Sequence, residues 1–276
     1  MKVNLKGATG ALVVGAIIVA TIVTSNQGDK SKTVVLTQSE LKPKVVTLAQ
    51  TQDKGIVRYD IDNKRYTGYV LEIKDPKRIK VGYSSNLGQA GETTSNIAKT
   101  YKAVAAINGG GFTEKGPGFP KGILMSEGKL VRDDSKNEKI SIMGITAEGK
   151  LMVGKHNVEE LSSLSVNDAI SFEPTIIDNG VGQIVGDGGS GVNPRTAIGQ
   201  KKDGTMILLV IDGRQGLKVG ATLKEVQDIM LEHAAWRATN LDGGSSSTMY
   251  YNGALVNKPC GASGERLVSS VVYVTP

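Results

Sequence analysis

The chain has 276 residues, of which 39% are apolar and 22% charged, and 35 of them are glycine. This composition excludes a disordered chain, and the many glycines without a repeat indicate a turn-rich globular fold. The net charge of +6 is small, and the charged residues are scattered along the chain. The chain therefore lacks the basic stripe with interleaved aromatic residues that nucleic-acid binding requires. The single cysteine, Cys260, excludes an internal disulfide. No cofactor is predicted.

The N-terminus carries a hydrophobic segment behind two basic residues. Lys2 and Lys6 precede an apolar run from Ala8 to Val23, which is near the lower length limit for a membrane-spanning helix. A poor signal-peptidase site follows, and lysines in front of such a run favour a cytoplasmic N-terminus. We therefore expect residues 1–24 to be a signal anchor in the cell membrane, with the remainder extracellular. The alternative is a cleaved signal peptide and a secreted protein.

A polar linker at 25–53 is predicted to lead into one globular domain at 54–276. Alternating β-branched and aromatic residues predict its strands, and apolar residues at helical spacing predict its helices. In chain order we predict strands at 66–73 and 78–84, a helix at 92–101, a strand within 102–112, hairpins at 139–154 and 193–216, a helix at 220–238 and a closing strand at 267–276. The fold class is α+β, with mixed β-sheets and a few packed helices.

Three local patterns in this domain each predict one particular structure. Thr222 and Glu225 form a T-x-x-E capping box at the start of the second helix. The run 206–211 is apolar throughout, which predicts a strand buried on both faces. The Asp203-Gly204 pair just before it predicts a tight hairpin turn.

Glycine-rich turns follow several of the apolar runs. They begin at Asn108, Asp212 and Asp242, and a fourth polar segment around Arg195 precedes a strand. Turns at strand ends are where a rigid scaffold presents its functional groups, and glycine lets the backbone approach a ligand closely. These turns are therefore the candidate site.

The motifs "AINGGGF", "NPRTAIG", "VIDGRQ", "NLDGGSSSTM" and "GER", in this order, resemble the phosphodiester glycosidase family, including its exopolysaccharide-associated members from bacteria and phages. The resemblance covers residues 66–276. It implies cleavage of the bond between a sugar's anomeric carbon and a phosphodiester oxygen. The family usually shows Asn-Gly-Gly-Phe-Phe and Asp-Gly-Gly-Gly-Ser, whereas Gly111 and Ser245 stand at the variant positions here. These departures bear on the shape of the pocket.

The residues in these motifs suit that chemistry. Arg195 and Arg214 are expected to bind phosphate oxygens in pairs. A carboxylate is expected at the anomeric carbon as nucleophile or base, and the catalytic candidates are Asp242, Asp212 and Glu265. Residues expected to hold sugar hydroxyls or phosphate oxygens are Asn108, Gly109, Gly243, Gly244, Ser245, Ser246 and Thr248.

Two other functions remain open at this stage. A non-catalytic module that binds phosphorylated glycans at the cell surface would use the arginines and hydroxyls alone. A metal-dependent phosphodiesterase would cut a P–O bond, with Asp187, Asp212 and Asp242 holding a divalent cation. The segment "GDGGSG" at 186–191 lacks the ending of a phosphate loop, and we expect it to form a mobile lip of the pocket.

Overall fold

The structure, a computed structural model, describes residues 44–47 and 53–276. The predicted anchor at 1–24 and most of the predicted linker at 25–53 lie outside the described residues. In the part that is described, no helix has both the length and the apolar character needed to cross a membrane. A strand at Lys44–Thr47 falls inside the segment predicted as a linker.

The described chain forms twenty strands and three α-helices, and residues 44–276 make one compact unit. The strands in chain order are β1 (Lys44–Thr47), β2 (Ile56–Asp62), β3 (Thr67–Ile73), β4 (Ile79–Tyr83), β5 (Glu92–Thr93), β6 (Ala105–Asn108), β7 (Ile123–Ser126), β8 (Lys129–Asp133), β9 (Ile140–Thr146), β10 (Leu151–His156), β11 (Val166–Ser171), β12 (Thr175–Asp178), β13 (Val181–Gly182), β14 (Arg195–Lys201), β15 (Met206–Ile211), β16 (Ala235–Leu241), β17 (Met249–Tyr251), β18 (Ala254–Leu255), β19 (Leu267–Val268) and β20 (Ser270–Val274). The helices are α1 (Thr94–Thr100), α2 (Val158–Ser163) and α3 (Leu223–Glu232), and short 3₁₀ turns lie at Pro76–Arg78 and Gly244–Ser246.

The strands form one eight-stranded sheet, two five-stranded sheets and a two-stranded ribbon. The orders are β1-β2-β3-β15-β14-β16-β12-β13, β10-β9-β11-β7-β8, β18-β17-β6-β20-β4 and β19-β5. Every strand pairing among the described residues is antiparallel. The prediction of mixed sheets was therefore wrong. Parallel pairing needs long crossover connections, usually helices, and three short helices do not supply them.

The central strands of the eight-stranded sheet, β14 and β15, are buried on both faces. On one face Leu208 joins Met143 and Val272, which belong to the two five-stranded sheets, in a single apolar cluster. The other face is covered by α3, where Val226 and Met230 pack onto the sheet. The sandwich of three sheets thus has the eight-stranded sheet as its shared layer.

The structure confirms the predicted capping box and the predicted buried strand, but the helix after the capping box is shorter than predicted. All six residues of β15 are fully buried, as expected for a strand covered on both faces. Helix α3 begins with the capping box of Thr222 and Glu225 but ends at Glu232, well before residue 238. Ala234 adopts a left-handed φ of 59°, which turns the chain out of the helix and into β16.

Candidate active site

The register of the eight-stranded sheet brings the predicted turns to one edge. Arg195, the first residue of β14, pairs with Ile211 at the end of β15, and Thr196 pairs with Leu241 at the end of β16. The turns that start at Asp212 and Asp242 therefore leave the sheet on either side of Arg195. Antiparallel pairing makes this placement unavoidable, because the start of one strand lies beside the ends of its neighbours.

Asn108 joins this edge to the neighbouring sheet. It ends β6, is fully buried, and donates from Nδ2 to the carbonyl oxygen of Asp242 at 2.5 Å. Its Oδ1 accepts from Thr196 Oγ1 at 2.8 Å and from the Thr248 N–H at 3.1 Å. Both polar atoms of the amide are bound to protein, so contact between Asn108 and substrate stays a prediction that this geometry does not favour. Asn108 instead fixes the turn that carries Asp242.

A cavity of about 400 Å³ opens at this edge, and we call it the arginine cavity. Three guanidinium side chains, one carboxylate, one aromatic ring and the glycine turn after Asp242 surround it. Its lining residues are Phe172, Glu173, Ser190, Asn193, Arg195, Arg214, Asn240, Gly243, Gly244, Ser245 and Arg266. Its volume lies within the range of about 300–1,000 Å³ that is usual for ligand pockets.

Arg195 is held in the wall of the arginine cavity by backbone carbonyls. Its side chain is 6% exposed, with Nε donating to the Ala221 oxygen at 3.0 Å and Nη2 to the Gly191 oxygen at 2.6 Å. Burial lowers the pKa of Arg195, and the neighbouring charge of Arg214 lowers it further. The two like charges are thus close enough to repel each other, and a bound anion would relieve that repulsion.

Arg214 enters the same cavity from the tight turn after β15. Its backbone is left-handed, with φ of 58°, a conformation that costs a non-glycine residue roughly 1–2 kcal/mol. Its Nη2 donates to Asn193 Oδ1 at 2.7 Å. Strain of this kind persists where the surrounding structure enforces it, and it is common at functional sites.

Arg266 is the third guanidinium, and sequence reasoning missed it. Its guanidinium carbon lies 4.7 Å from the ring centroid of Phe112, and Nη1 is 3.4 Å from Ser245 Oγ. Stacking on an aromatic ring orients a guanidinium while leaving its N–H groups free to bind an anion. The signal was present in the "GER" motif, but Glu265 was chosen from it.

The three cavity arginines differ from the others in how their charge is balanced. The remaining arginines each have a carboxylate oxygen within 4.0 Å, and they are Arg58, Arg65, Arg78, Arg132 and Arg237. Over residues 53–276, no carboxylate lies within that distance of Arg195, Arg214 or Arg266. The positive charge of the cavity is therefore left for a ligand.

Asp242 lies at the base of the turn whose next residues, Gly243 to Ser245, form one wall of the cavity, although Asp242 itself is not a lining residue. Its N–H donates to the Gly109 oxygen at 3.1 Å while its own carbonyl accepts from Asn108, so its backbone is clamped on both sides. Burial raises the pKa of the Asp242 carboxyl, whereas the Ser246 hydroxyl and the charge of Arg266 act in the opposite direction. The catalytic role of Asp242 stays a prediction that this position allows.

Asp212 is engaged in holding a loop together. Its Oδ1 accepts from Asn257 Nδ2 at 2.7 Å and its Oδ2 accepts from the Lys258 N–H at 2.9 Å. The carboxyl is buried, which raises its pKa, and it does not line the arginine cavity. In this structure the Asp212 carboxylate anchors the segment after β18, and its catalytic role stays a prediction.

Glu265 is likewise committed elsewhere. Its Oε1 accepts from the Ser95 N–H at 2.9 Å and its Oε2 from Ser95 Oγ at 2.5 Å, which satisfies an open donor in the first turn of α1. It lines a neighbouring cavity of about 810 Å³ rather than the arginine cavity. The carboxylate thus ties the 260–267 loop to the helix, and a catalytic role for Glu265 stays a prediction.

The predicted substrate-contacting turn divides into two halves. Gly243, Gly244 and Ser245 line the arginine cavity as expected. A side chain at Gly244 would approach Arg214 Nη1 to 3.4 Å, and the residue has a left-handed φ of 61°, so both space and backbone favour glycine.

The second half of that turn faces inward. Ser246 and Thr248 are fully buried and are absent from the cavity lining. Gly109 is also outside the lining, and a Cβ there would lie 2.6 Å from Ser270 Oγ. These three residues pack the base of the site and do not line the cavity, and their direct contact with substrate stays a prediction.

Two further lining residues were missed by the sequence analysis. Glu173 is exposed and is the one carboxylate that lines the arginine cavity. Asn240 is buried and donates from Nδ2 to the backbone carbonyl oxygen of Glu173 at 3.0 Å. Its Oδ1 has no hydrogen-bond partner among the described residues. Asn240 lies within the quoted motif "NLDGG", whereas no motif marks Glu173.

The metal site of the alternative hypothesis is not assembled. Across residues 53–276, no group of three or more His, Cys, Asp or Glu side chains has the arrangement of a metal site. Asp187 accepts from the Gly189 N–H at 2.8 Å in its own loop, and Asp212 is bound as described above. The three acids named for a divalent cation therefore do not converge.

Comparison with known proteins places the chain in a family. The model of the phosphodiester glycosidase family matches residues 101–275. The chain belongs to this family. The resemblance drawn from the motifs is thereby confirmed.

Two curated relatives and one solved structure illustrate the relationship. The N-acetylglucosamine-1-phosphodiester alpha-N-acetylglucosaminidase of Mus musculus is 24% identical over 72% of this chain and 42% of its own length. A prophage-derived protein of Bacillus subtilis, YomE, is 28% identical over 60% of this chain and 27% of its own. The chain thus spans less than half the length of these two relatives. The zebrafish N-acetylglucosamine-1-phosphodiester alpha-N-acetylglucosaminidase catalytic domain, auto-inhibited by its pro-peptide, superposes with a TM-score of 0.68 at 25% identity, covering 85% of this chain and 83% of that one.

Proposed function

We propose that this protein is a hydrolase that cleaves the bond between a sugar's anomeric carbon and a phosphodiester oxygen. The observation that carries the proposal is the set of three arginines without carboxylate partners around one cavity of about 400 Å³. A glycosyl-1-phosphodiester is an anion whose oxygens match guanidinium groups in pairs. The names of the mouse and zebrafish relatives describe this activity for those proteins.

The chemistry explains why several guanidinium groups suit this reaction. Water adds to the anomeric carbon, the electron pair of the C1–O bond goes to the phosphate oxygen, and the water proton goes to a base. The leaving phosphate monoester has a pKa of about 6, so it departs without needing a strong general acid. Its charge grows as the bond breaks, and fixed positive groups stabilise that growing charge most.

Asp242 is the proposed carboxylate at the anomeric carbon. An oxocarbenium-like transition state needs a negative group beside it or a base for water. The Arg266 charge and the Ser246 hydroxyl oppose the rise in the pKa of Asp242 that burial causes, and so they favour the ionised form. Glu173 lines the rim of the cavity, and we assign it to substrate binding.

We also propose a cellular setting, which rests on the sequence alone. The hydrophobic segment at 1–24 would hold the protein in the cell membrane with the domain outside. Its substrates would then be glycosyl-1-phosphodiesters of surface polymers or exopolysaccharides. Fractionation of cells into membrane and medium, with and without residues 1–24, tests the anchor.

The activity is tested with a synthetic N-acetylglucosamine-1-phosphodiester and related sugars, by measuring release of free sugar. Asp242→Asn is expected to reduce kcat by about 10²–10⁴-fold, as for loss of a catalytic acid or base. Glu173→Gln is expected to act mainly on KM.

Three outcomes would contradict the proposal. Equal turnover by wild type and Asp242→Asn would remove Asp242 from the reaction. Tight binding without turnover across the sugar panel would favour the non-catalytic module. A phosphomonoester left on the sugar would favour P–O cleavage.

A further inference from the structure

Apart from the cavity lined by Glu265, another cavity adjoins the arginine cavity, and we call it the second cavity. Its volume is about 640 Å³, and it shares two lining residues, Phe172 and Glu173, with the arginine cavity. Both volumes fall in the usual range of about 300–1,000 Å³ for ligand pockets. The two cavities are therefore neighbours that share a wall, and together they have room for more than a single sugar phosphate.

The lining of the second cavity differs in chemistry from that of the arginine cavity. No arginine lines it, and its two lysines, Lys121 and Lys136, are offset by three acids, Asp134, Glu138 and Glu173. Ile140 and the ring of Phe172 supply apolar surface. This mixture lacks the excess positive charge that a phosphate needs.

Several polar groups around the second cavity are free to bind a ligand. Among residues 53–276, the side chains of Lys121, Lys136, Glu138 and Glu173 have no hydrogen-bond or ion-pair partner. Asp134, in contrast, accepts from the Gly122 N–H at 2.5 Å. Free donors and acceptors beside an aromatic ring suit a neutral ligand that carries many hydroxyl groups.

Gly111 keeps the second cavity open. It lines the cavity, and a Cβ placed on it would lie 3.3 Å from Cε2 of Phe172. Its φ is outside the left-handed region, so the backbone itself would accept a side chain. A bulky side chain here would fill the space beside the ring of Phe172, which lines both cavities.

We propose that the second cavity is a subsite for a further sugar unit, beyond the sugar whose anomeric bond is cut, so that the substrate is an oligomeric or polymeric glycan. This inference rests on the proposed function. The phosphodiester occupies the arginine cavity, and the neighbouring sugar stacks on Phe172 while its hydroxyls bind Glu138 and the lysines. The acidic and lysine side chains select hydroxyl groups rather than a second phosphate.

The test compares several substrates that share the same scissile bond. One is a monosaccharide-1-phosphodiester with a small aglycone, and the others carry one or two further sugar units on either side of the phosphodiester. Wild type is expected to show a kcat/KM about tenfold higher for one of the extended substrates, which corresponds to about 1.4 kcal/mol. Equal values for all substrates would overturn the inference while leaving the activity intact.

Two variants locate the gain in the second cavity. Glu138→Gln and Gly111→Phe are each expected to remove most of the advantage of the extended substrate, with Glu138→Gln leaving the monosaccharide reaction unchanged. The matched control is Glu148→Gln, an exposed glutamate in the β9–β10 turn that lines no cavity described here. A ratio of extended to short substrate that is unaffected by Glu138→Gln and Gly111→Phe would contradict the assignment.

Direct binding decides the matter if no substrate is turned over. Calorimetric titration with a phosphate-free oligosaccharide of the same sugars is expected to show binding to wild type and Glu148→Gln. The affinity is expected to fall about tenfold in Glu138→Gln and Gly111→Phe. No binding to wild type would overturn the subsite even where hydrolysis of the phosphodiester is observed.

Discussion

The two ends of the eight-stranded sheet differ in whether their charged side chains are paired with each other. At the end away from the arginine cavity, Glu72 of β3 accepts from Lys201 Nζ at 2.7 Å and faces His233 Nδ1 at 2.8 Å. The Lys201 charge there is paired with an acid. At the other end, Arg195, Arg214 and Arg266 surround one cavity without a carboxylate partner in the described chain.

This contrast separates charges that stabilise the fold from charges held for a ligand. A buried charge is costly unless it is paired, and the Glu72 cluster meets that requirement internally. The cavity arginines meet it only in part, through carbonyl oxygens and an aromatic ring. Changes at the two ends should therefore have different consequences, for activity at one end and for stability at the other.

Among the charged residues of these two ends, the largest effect is expected from Arg195→Ala. Loss of a fixed positive group that stabilises the transition state should lower kcat/KM on a sugar-1-phosphodiester by about 10²–10³-fold. The matched control is Arg237→Ala, which removes an arginine that is paired with Asp178 at 3.7 Å and should change kcat/KM less than about twofold. Similar losses in both variants would show that the cavity arginines have no special role.

At the opposite end, Glu72→Gln should lower stability and leave kcat unchanged. Glu72 is 9% exposed, and removing one partner of a buried ion pair costs about 3 kcal/mol. Urea unfolding measures the change. A loss of activity in folded protein, without a loss of stability, would contradict the separation of the two ends.

The loss of stability in Glu72→Gln should depend on pH in a direction that follows from the pKa of Glu72. Burial tends to raise the pKa of Glu72, but hydrogen bonds from His233 and Lys201 outweigh it, and the pKa lies below its ordinary value of 4.5. The stabilisation by Glu72 is therefore present above pH 4.5 and is lost as the pH falls through the lower, folded-state pKa. The difference in unfolding free energy between wild type and Glu72→Gln should shrink across that acidic range.

Arg266→Gln should move the acid limb of the activity profile to higher pH. The pKa of Asp242 is raised above its ordinary 3.8 by burial, and the charge of Arg266 limits that rise. Without this charge, Asp242 takes up its proton at a higher pH and activity is lost earlier on acidification. Profiles of kcat against pH for wild type and variant check this, and an unmoved acid limb would exclude Asp242 as the ionised group.

The smallest effect is expected from Glu265→Gln. The carboxylate binds Ser95 at the start of α1, so the amide should cost about 1 kcal/mol of stability and change kcat less than about twofold. A loss of kcat comparable to that of Asp242→Asn would restore Glu265 as a catalytic residue.

Sequence reasoning identified turns that the structure brings to one cavity, but not the direction of each side chain. Arg195, Arg214 and the Gly243-Gly244 turn were recognised because strand ends followed by glycines indicate where a rigid scaffold presents groups. Asp212 and Glu265 lie in the same kinds of motif but point toward Asn257 and Ser95. Contacts over such long sequence separations have no local signature in the chain.

The errors in fold have a similar origin. The capping box and the apolar run of β15 are local patterns, and both were confirmed. Strand pairing is not local, and the wholly antiparallel arrangement became visible only in the register. Glu173 shows the limit most clearly, because it reaches the cavity from β11–β12 without any motif around it.

The most direct test of the account is hydrolysis of a sugar-1-phosphodiester in ¹⁸O-labelled water. Attack at the anomeric carbon, with the arginine cavity holding the leaving phosphate, predicts that the label appears in the released sugar and not in the phosphate. Mass spectrometry of both products reads this out in one experiment. Label in the phosphate product would show that the P–O bond is cut and would contradict the central claim.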